Sequence, residues 1–298
     1  MVAIKIPSNP CETNQKTLKR ILRKIHKKND TRKNYFKSTS KALELVKRQE
    51  GHSINCINKL SKSTLTHKHV IPRHVVQVWH SKTNIPDSVR ESITMLKTQN
   101  PEFKHTLFDE KDCRLFIAKY YTDEVLDTYD KIIPHALKAD LWRYCYLYKN
   151  GGIYLDAKYY CVNGFKLNLL TNREYFCRDV LQSFNGIYNA ILVCKPKNKI
   201  MHKCIDQVVK NVRDEYYGSN GLCPTGPLMI ASFFTTKQIN NLKLNHELLN
   251  EHVRFIRYND CRILQYHERY KKEQVQMNDH WSKYWREGKI YKNKHTFH

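Results

Sequence analysis

From residue 71 onward, strand-like apolar runs alternate with stretches of helical period, and this alternation predicts an α/β domain. Two further observations agree. With 298 residues, 41% of them hydrophobic, the chain is long enough to bury a sizeable core. The stretch Pro134–Cys161, PHALKADLWRYCYLYKNGGIYLDAKYYC, reads as a helix, a glycine stop and a short buried strand.

The elements follow in order. After Ile71-Pro72, the residues Val75, Val76, Val78 and Trp79 form a β-rich first strand. Asp87 to Gln99 is a helix with an acidic start, ended by Asn100-Pro101. Phe103–Phe108 alternates apolar and polar residues, as a strand does. Asp109 and Thr122 are placed to cap two further helices that serve as packing elements. In the central helix Pro134 suits the first turn, and Leu137, Leu141, Tyr144, Leu147 and Tyr148 recur at helical spacing. Gly151 fits the left-handed position beyond its end. Ile153–Leu155 is a short buried strand ending in Asp156, and Tyr175–Arg178 is a strand ending in Asp179. Ile187–Lys195 is another strand, Ile200–Tyr217 a helix, and Arg254–Tyr258 and Ile263–Tyr266 are late strands.

The net charge is +24, and residues 1–70 hold 17 Lys and Arg against 4 Asp and Glu. That quarter of the chain is attracted to polyanions or acts as a solubilising arm. Within it, Thr17–Lys28 places Leu18, Ile21, Leu22 and Ile25 on one face of a basic amphipathic helix, suited to packing on the domain or lying on an anionic surface. Ser53–His69 reads as a polar linker. Residues 1–70 are therefore an extension and residues 71–298 the domain. Ten cysteines without a C-x-x-C pair, no signal peptide and no bilayer-length apolar run together predict free thiols and a cytoplasmic protein, with peripheral membrane association through the arm. Aromatic residues are not interleaved with the basic arm, so specific nucleic-acid binding is not expected.

Asp140 and Arg143, three apart, share one helix face, and open α/β sheets bind ligands at the carboxyl ends of their strands, where Asp156 sits. Helix, glycine pair and strand end can thus converge on one polar ligand. The competing reading is a helix salt bridge and a loop carboxylate.

The block ALKADLWRYCYLYKNGGIYLDAK resembles the core of glycosyltransferases with a DXD sugar-binding region, a family that includes yeast-type initiating mannosyltransferases and has relatives among clostridial glucosylating toxins. Ala139, Asp140, Arg143, Gly151, Gly152, Tyr154, Leu155 and Asp156 match its pattern, while the second Asp is replaced by Lys158. Flanking similarity extends over about residues 71–291. The resemblance implies a nucleotide-diphospho-sugar transferase (GT-A type) fold, a mixed sheet flanked by helices, and hexosyl transfer from a nucleotide-diphosphate sugar to a glycan, lipid or protein hydroxyl with retention. By the same resemblance Asp140 and Arg143 hold the donor sugar, and Asp156 contacts ribose or a divalent metal. Gln77, Trp79, His80, Gly151, Gly152, Tyr154 and Trp285 belong to the donor site. His280 and Trp285 close over the diphosphate, and Thr225-Gly226-Pro227 resembles an acceptor-side loop. The alternative is a relative that binds sugar nucleotides without turning them over.

Family members hold Mn²⁺ or Mg²⁺ with both carboxylates of D-x-D. A lysine offers donors only and repels a cation. Three outcomes follow: a metal kept by Asp156 with His280 or Asp179, a Lys158 ammonium standing in for the metal's charge, or a Lys158 turned outward. The second, with weakened metal dependence, is the expectation carried forward.

Overall fold

The computed structural model describes residues 51–59, 61, 68–179, 186–249, 253–277 and 280–292. The predicted helix at Thr17–Lys28 lies outside the described residues. The fold class is the expected one, α/β with a mixed sheet flanked by helices. Nine strands run β1 (His74–Val78), β2 (Lys104–Phe108), β3 (Gly152–Leu155), β4 (Tyr159–Cys161), β5 (Tyr175–Asp179), β6 (Gly186–Cys194), β7 (Leu244–Leu248), β8 (Arg254–Tyr258) and β9 (Cys261–Tyr266). Their order in the sheet is β2-β1-β3-β6-β5-β7-β8-β9-β4. β1 pairs in parallel with β2 and β3, and β5 with β7, and the remaining neighbours are antiparallel.

The helices are α1 (Asp87–Gln99), α2 (Glu110–Tyr120), α3 (Asp123–Lys131), α4 (His135–Asn150), α5 (Lys199–Arg213), α6 (Pro227–Ala231), α7 (Thr236–Asn240), α8 (Tyr270–Met277) and α9 (Trp281–Arg286). Asp109 caps α2 in a reciprocal capping box with Asp112, whereas the Thr122 side chain caps nothing at the start of α3. α4 buries Leu141, Trp142, Tyr144, Cys145 and Leu147 in a core shared with α2, α3 and α5. A second core lies around α1 and includes Val75, Ile153, Leu155 and Tyr159.

β3 and β4 follow each other in the chain yet stand third and ninth in the sheet. The four residue steps from Leu155 to Tyr159 reach at most about 14 Å, so the sheet curls until its far edge returns beside β3. Asp156, Ala157 and Lys158 form the crossing at that seam. The Asp156 N–H donates to Ala190 O at 2.8 Å, and the Tyr159 N–H to Asp156 O at 3.1 Å.

The start of the packed unit differs from the expectation. Residues 51–59, all but the first two of them read as linker, are helical. Ile57 is buried in the core around α1, and the Arg262 N–H donates to Ser53 Oγ at 3.1 Å. Cys56 is bonded to Cys261 at the start of β9, which corrects the expectation that every thiol is free. The seven other described cysteines are unpaired, most of them buried among apolar side chains. The polar composition around Ile57 hid its buried side chain. Deleting residues 1–50 is therefore expected to leave the melting temperature within about 2 °C. Deleting 1–68, which strips Ile57, Ser53 and the Cys56 bridge, is expected to lower it by more than about 8 °C, since a buried isoleucine and a long-range disulfide are each worth a few kcal/mol. Equal melting of the two truncations in differential scanning calorimetry would contradict this.

No helix among the described residues is long and apolar enough to cross a membrane.

Candidate active site

A cavity of about 660 Å³ opens at the seam, over the carboxyl end of β3 and the first turns of α4. Its charged floor is a continuous chain of contacts. Asp140 Oδ1 accepts from Asn189 Nδ2 at 2.8 Å, and Oδ2 accepts from Thr225 Oγ1 at 2.7 Å. The Arg143 guanidinium lies 3.1 Å from Asp140 and 3.7 Å from Asp156, and its Nη1 donates to Asn189 O at 2.7 Å. It also stacks over the Tyr154 ring at 4.2 Å, while the Tyr154 hydroxyl donates to Asp156 Oδ1 at 2.8 Å. Asp156 Oδ2 is met by Lys158 Nζ at 3.0 Å. Lys158 is flanked in turn by the Tyr266 and Tyr270 rings, each 5.5 Å away.

Burial sets the charge states. It pushes the Asp140 carboxyl up to about 6, against the opposing pull of Arg143, Thr225 and Asn189. Burial also disfavours charge on Asp156, but Lys158 and Arg143 overcome it and hold that carboxyl below its ordinary range. The Lys158 ammonium is likewise penalised by burial, and the Asp156 charge beside it keeps it protonated well above the usual lysine range. The floor therefore reads Asp140, Arg143⁺, Asp156⁻, Lys158⁺ across one wall.

The expected residues divide clearly. Asp140, Arg143, Tyr154, Asp156, Lys158, Trp79, His80 and His280 all line the cavity. Trp79 Nε1 donates to Asn84 O at 3.1 Å, and the His80 ring stacks on His135. Gly151, Gly152, Gln77 and Trp285 are not among the lining residues. Gly151 (φ 64°) and Gly152 (φ 108°) are required by the fold: a Cβ on Gly151 would meet Pro196 Cδ at 2.6 Å, and one on Gly152 would meet His74 O at 2.7 Å. The pair lets α4 turn tightly into β3 against the chain's own backbone. Gln77 is buried within β1. Trp285 packs against Gly221 and donates from Nε1 to Tyr217 O at 2.9 Å, and Trp281 and Tyr284 of the same short helix face the cavity instead. Lys158 does not turn outward.

The metal set is not assembled. Asp156 Oδ2 is paired with an ammonium, His280 Nδ1 accepts from the Ser282 N–H and so caps α9, and Asp179 is bonded to His246. Among the described residues no group of three or more His, Cys, Asp or Glu side chains is placed to hold a metal ion. The residues present do not fit a divalent cation, and no step below is routed through one.

Reading the sequence missed Asn189, Thr225 as the Asp140 partner, Tyr188, His246, Arg254, Tyr266 and Tyr270. Thr225 lay in a recognised loop. His246 lies on β7, whose five residues LNHEL carry only a weak alternation.

Residues 86–176, from α1 into β5, match the family of the glycosyltransferase sugar-binding region containing DXD motif. The match includes the D-x-x-R and G-G-I-Y-L-D block, with Lys158 in place of the second Asp of the motif. Among curated relatives, an uncharacterized glycosyltransferase, L373, of Acanthamoeba polyphaga mimivirus is 28% identical over 144 residues, covering 48% of this chain and 56% of the relative. Inositol phosphoceramide mannosyltransferase 3 of Schizosaccharomyces pombe is 36% identical over 92 residues, covering 30% of this chain and 25% of the relative. The chain thus spans between a quarter and about half of the length of these relatives. Among solved structures, the PaToxG glycosyltransferase aligns with a TM-score of 0.44 at 17% identity, over 62% of this chain and 76% of that one.

Proposed function

We propose that this chain transfers a hexosyl group from a nucleotide-diphosphate sugar to an acceptor hydroxyl, with retention of anomeric configuration. The observation that carries the reading is the floor of the cavity, where residues of the matched family region form one row of alternating charge. Asp140, acceptor-only when ionised, takes hydroxyl hydrogens of the donor sugar, and Arg143 fixes its orientation. Asp156 reaches the ribose side. The leaving diphosphate gains negative charge as its bond to the sugar breaks, and the Lys158 ammonium supplies a fixed cation for it. Trp79, His80, His280 and Trp281 enclose the ligand. The acceptor is a glycan, lipid or protein hydroxyl, and the basic residues 1–50 are available to draw the enzyme to an anionic surface.

Incubation with a panel of UDP- and GDP-sugars, with release of nucleoside diphosphate as the readout, tests this directly. One donor is expected to be hydrolysed slowly in water and faster with acceptor. The lysine at the second motif position also favours a different outcome, a protein that binds a sugar nucleotide and does not turn it over. Binding without release across the whole panel would establish that reading instead.

A further inference from the structure

The same cavity is lined by a second titratable pair that the reading above leaves unused. His246 on β7 is 1% exposed, and its Nδ1 lies 3.2 Å from Asp179 Oδ1 at the end of β5. A carboxylate can only accept, so Nδ1 carries the proton and Nε2 presents a lone pair. The ring is held flat on Tyr188, with centroids 3.8 Å apart and planes 9° from parallel, and the Tyr188 hydroxyl is hydrogen-bonded to that of Tyr159 at 2.9 Å. His246, Asp179 and Tyr188 all line the cavity, yet Nε2 is buried without a hydrogen-bond partner among the described residues. Such orphaned acceptors are uncommon in folded proteins and costly to leave unpaired.

The surroundings define what fits there. Burial pushes the imidazole below its ordinary range, the Asp179 hydrogen bond opposes this, and the Arg254 and Lys158 charges reinforce it, so the ring is neutral. A neutral Nε2 lone pair repels phosphate oxygens and accepts an O–H. The pair is also contiguous with the sugar-holding side of the cavity. Gly186 lies between Asp179 and Pro227, and Gly226 lies against Asp140 Oδ2. On β6, Tyr188 supports His246 while its neighbour Asn189 is bonded to Asp140.

We propose that His246 Nε2 receives a hydrogen bond from a hydroxyl of the donor sugar, and that Asp179 is the positioning residue that fixes the ring in that tautomer. The inference rests on the cavity being a sugar-nucleotide site. It adds a neutral hydroxyl acceptor to the Asp140 end of the cavity, beside the charged groups that hold the rest of the donor.

The test is calorimetric binding to the full chain of one sugar nucleotide from the panel and, separately, of its nucleoside diphosphate alone. His246→Phe keeps an aromatic ring on Tyr188 and removes the acceptor. It is expected to weaken sugar-nucleotide binding about tenfold while nucleoside-diphosphate binding stays within about twofold. His246→Gln, which keeps an acceptor oxygen, should recover much of the loss. Asp179→Asn, which lets the ring change tautomer, should shift the same ratio in the same direction, and it carries the test if the phenylalanine variant does not fold. A sugar-to-nucleotide affinity ratio unchanged in these variants, or both ligands weakened equally, would overturn the inference while leaving the proposed function standing. Wild type that binds no sugar nucleotide in the panel would overturn both.

Discussion

Replacing Lys158 by alanine is expected to reduce turnover by about a hundredfold or more, while wild type keeps its activity in EDTA. The reason is positional. Lys158 Nζ sits 3.0 Å from Asp156, where the family's second carboxylate would otherwise help hold a divalent cation. An ammonium there supplies positive charge to the leaving diphosphate without needing a metal, and one well-placed electrostatic contact in a transition state is worth about 3 kcal/mol or more. Removing it leaves Asp156 to repel the phosphates with only Arg143 to compensate, and the Asp156 carboxyl should move back up. Lys158→Asp restores two carboxylates two residues apart and is expected to be inactive in EDTA and partly active with Mn²⁺. Wild type that is dead in EDTA, with Lys158→Ala as active as wild type in Mn²⁺, would remove the lysine from the mechanism.

Asp140→Asn is expected to lower turnover more than tenfold without lowering the melting temperature at neutral pH. The carboxylate accepts from Asn189 and Thr225 and retains lone pairs for a sugar hydroxyl, and hydrogen bonds to a charged group are worth about 1.5–3 kcal/mol. Its folded-state pKa is raised by burial to about 6. Two pH effects follow. Activity should fall as pH drops below about 6, because the protonated acid loses acceptor capacity, and this acid limb should be missing in Asp140→Asn. Stability runs the other way. A raised carboxyl pKa means that the fold binds this proton more tightly than the unfolded chain does, so the group's contribution is full below about 4 and is lost as pH rises through about 6. The permanently neutral variant should therefore melt at or above wild type at pH 7. Arg143→Ala should also lose activity but melt several degrees lower. Arg143 is 6% exposed, and its removal takes a buried cation from two buried carboxylates and frees the Asn189 carbonyl. Activity per folded molecule separates the two effects. An Asp140→Asn enzyme at wild-type turnover would show that the pair is only a structural salt bridge.

The charged row was legible because it is local. Asp140 and Arg143 share a helix face, Asp156 ends the next strand, and Lys158 follows two residues later, so one contiguous block of sequence carries its own geometry. The other half of the cavity is assembled by tertiary contacts that no short pattern encodes. Asn189, Asp179 and His246 come from β6, β5 and β7, which meet through strand pairing, and Thr225 comes from a separate loop. The glycine pair shows a local reading that the fold alone accounts for. A double glycine signals close backbone approach, but what approaches is Pro196 and the His74 carbonyl rather than a ligand. Trp285 was displaced by helical geometry: in α9 the residues at 281 and 284 face the cavity, and 285 turns to Tyr217. The bridge from Cys56 to Cys261 spans 205 residues and had no sequence signature at all.

The strand order has a consequence for how the chain can be divided. The family match ends at residue 176, yet β3, the strand that delivers Asp156, is hydrogen-bonded on one side to β1 and on the other to β6, which begins ten residues beyond that limit. The two flanks of β3 thus come from before and after the matched stretch. A piece cut at its borders would keep Asp140, Arg143, Asp156 and Lys158 and still present two bare strand edges, which recruit other chains more readily than they recruit substrate. What is recognisable as a unit of sequence is here not a unit of folding, and recombination or expression of the motif region alone should yield aggregate rather than a minimal transferase.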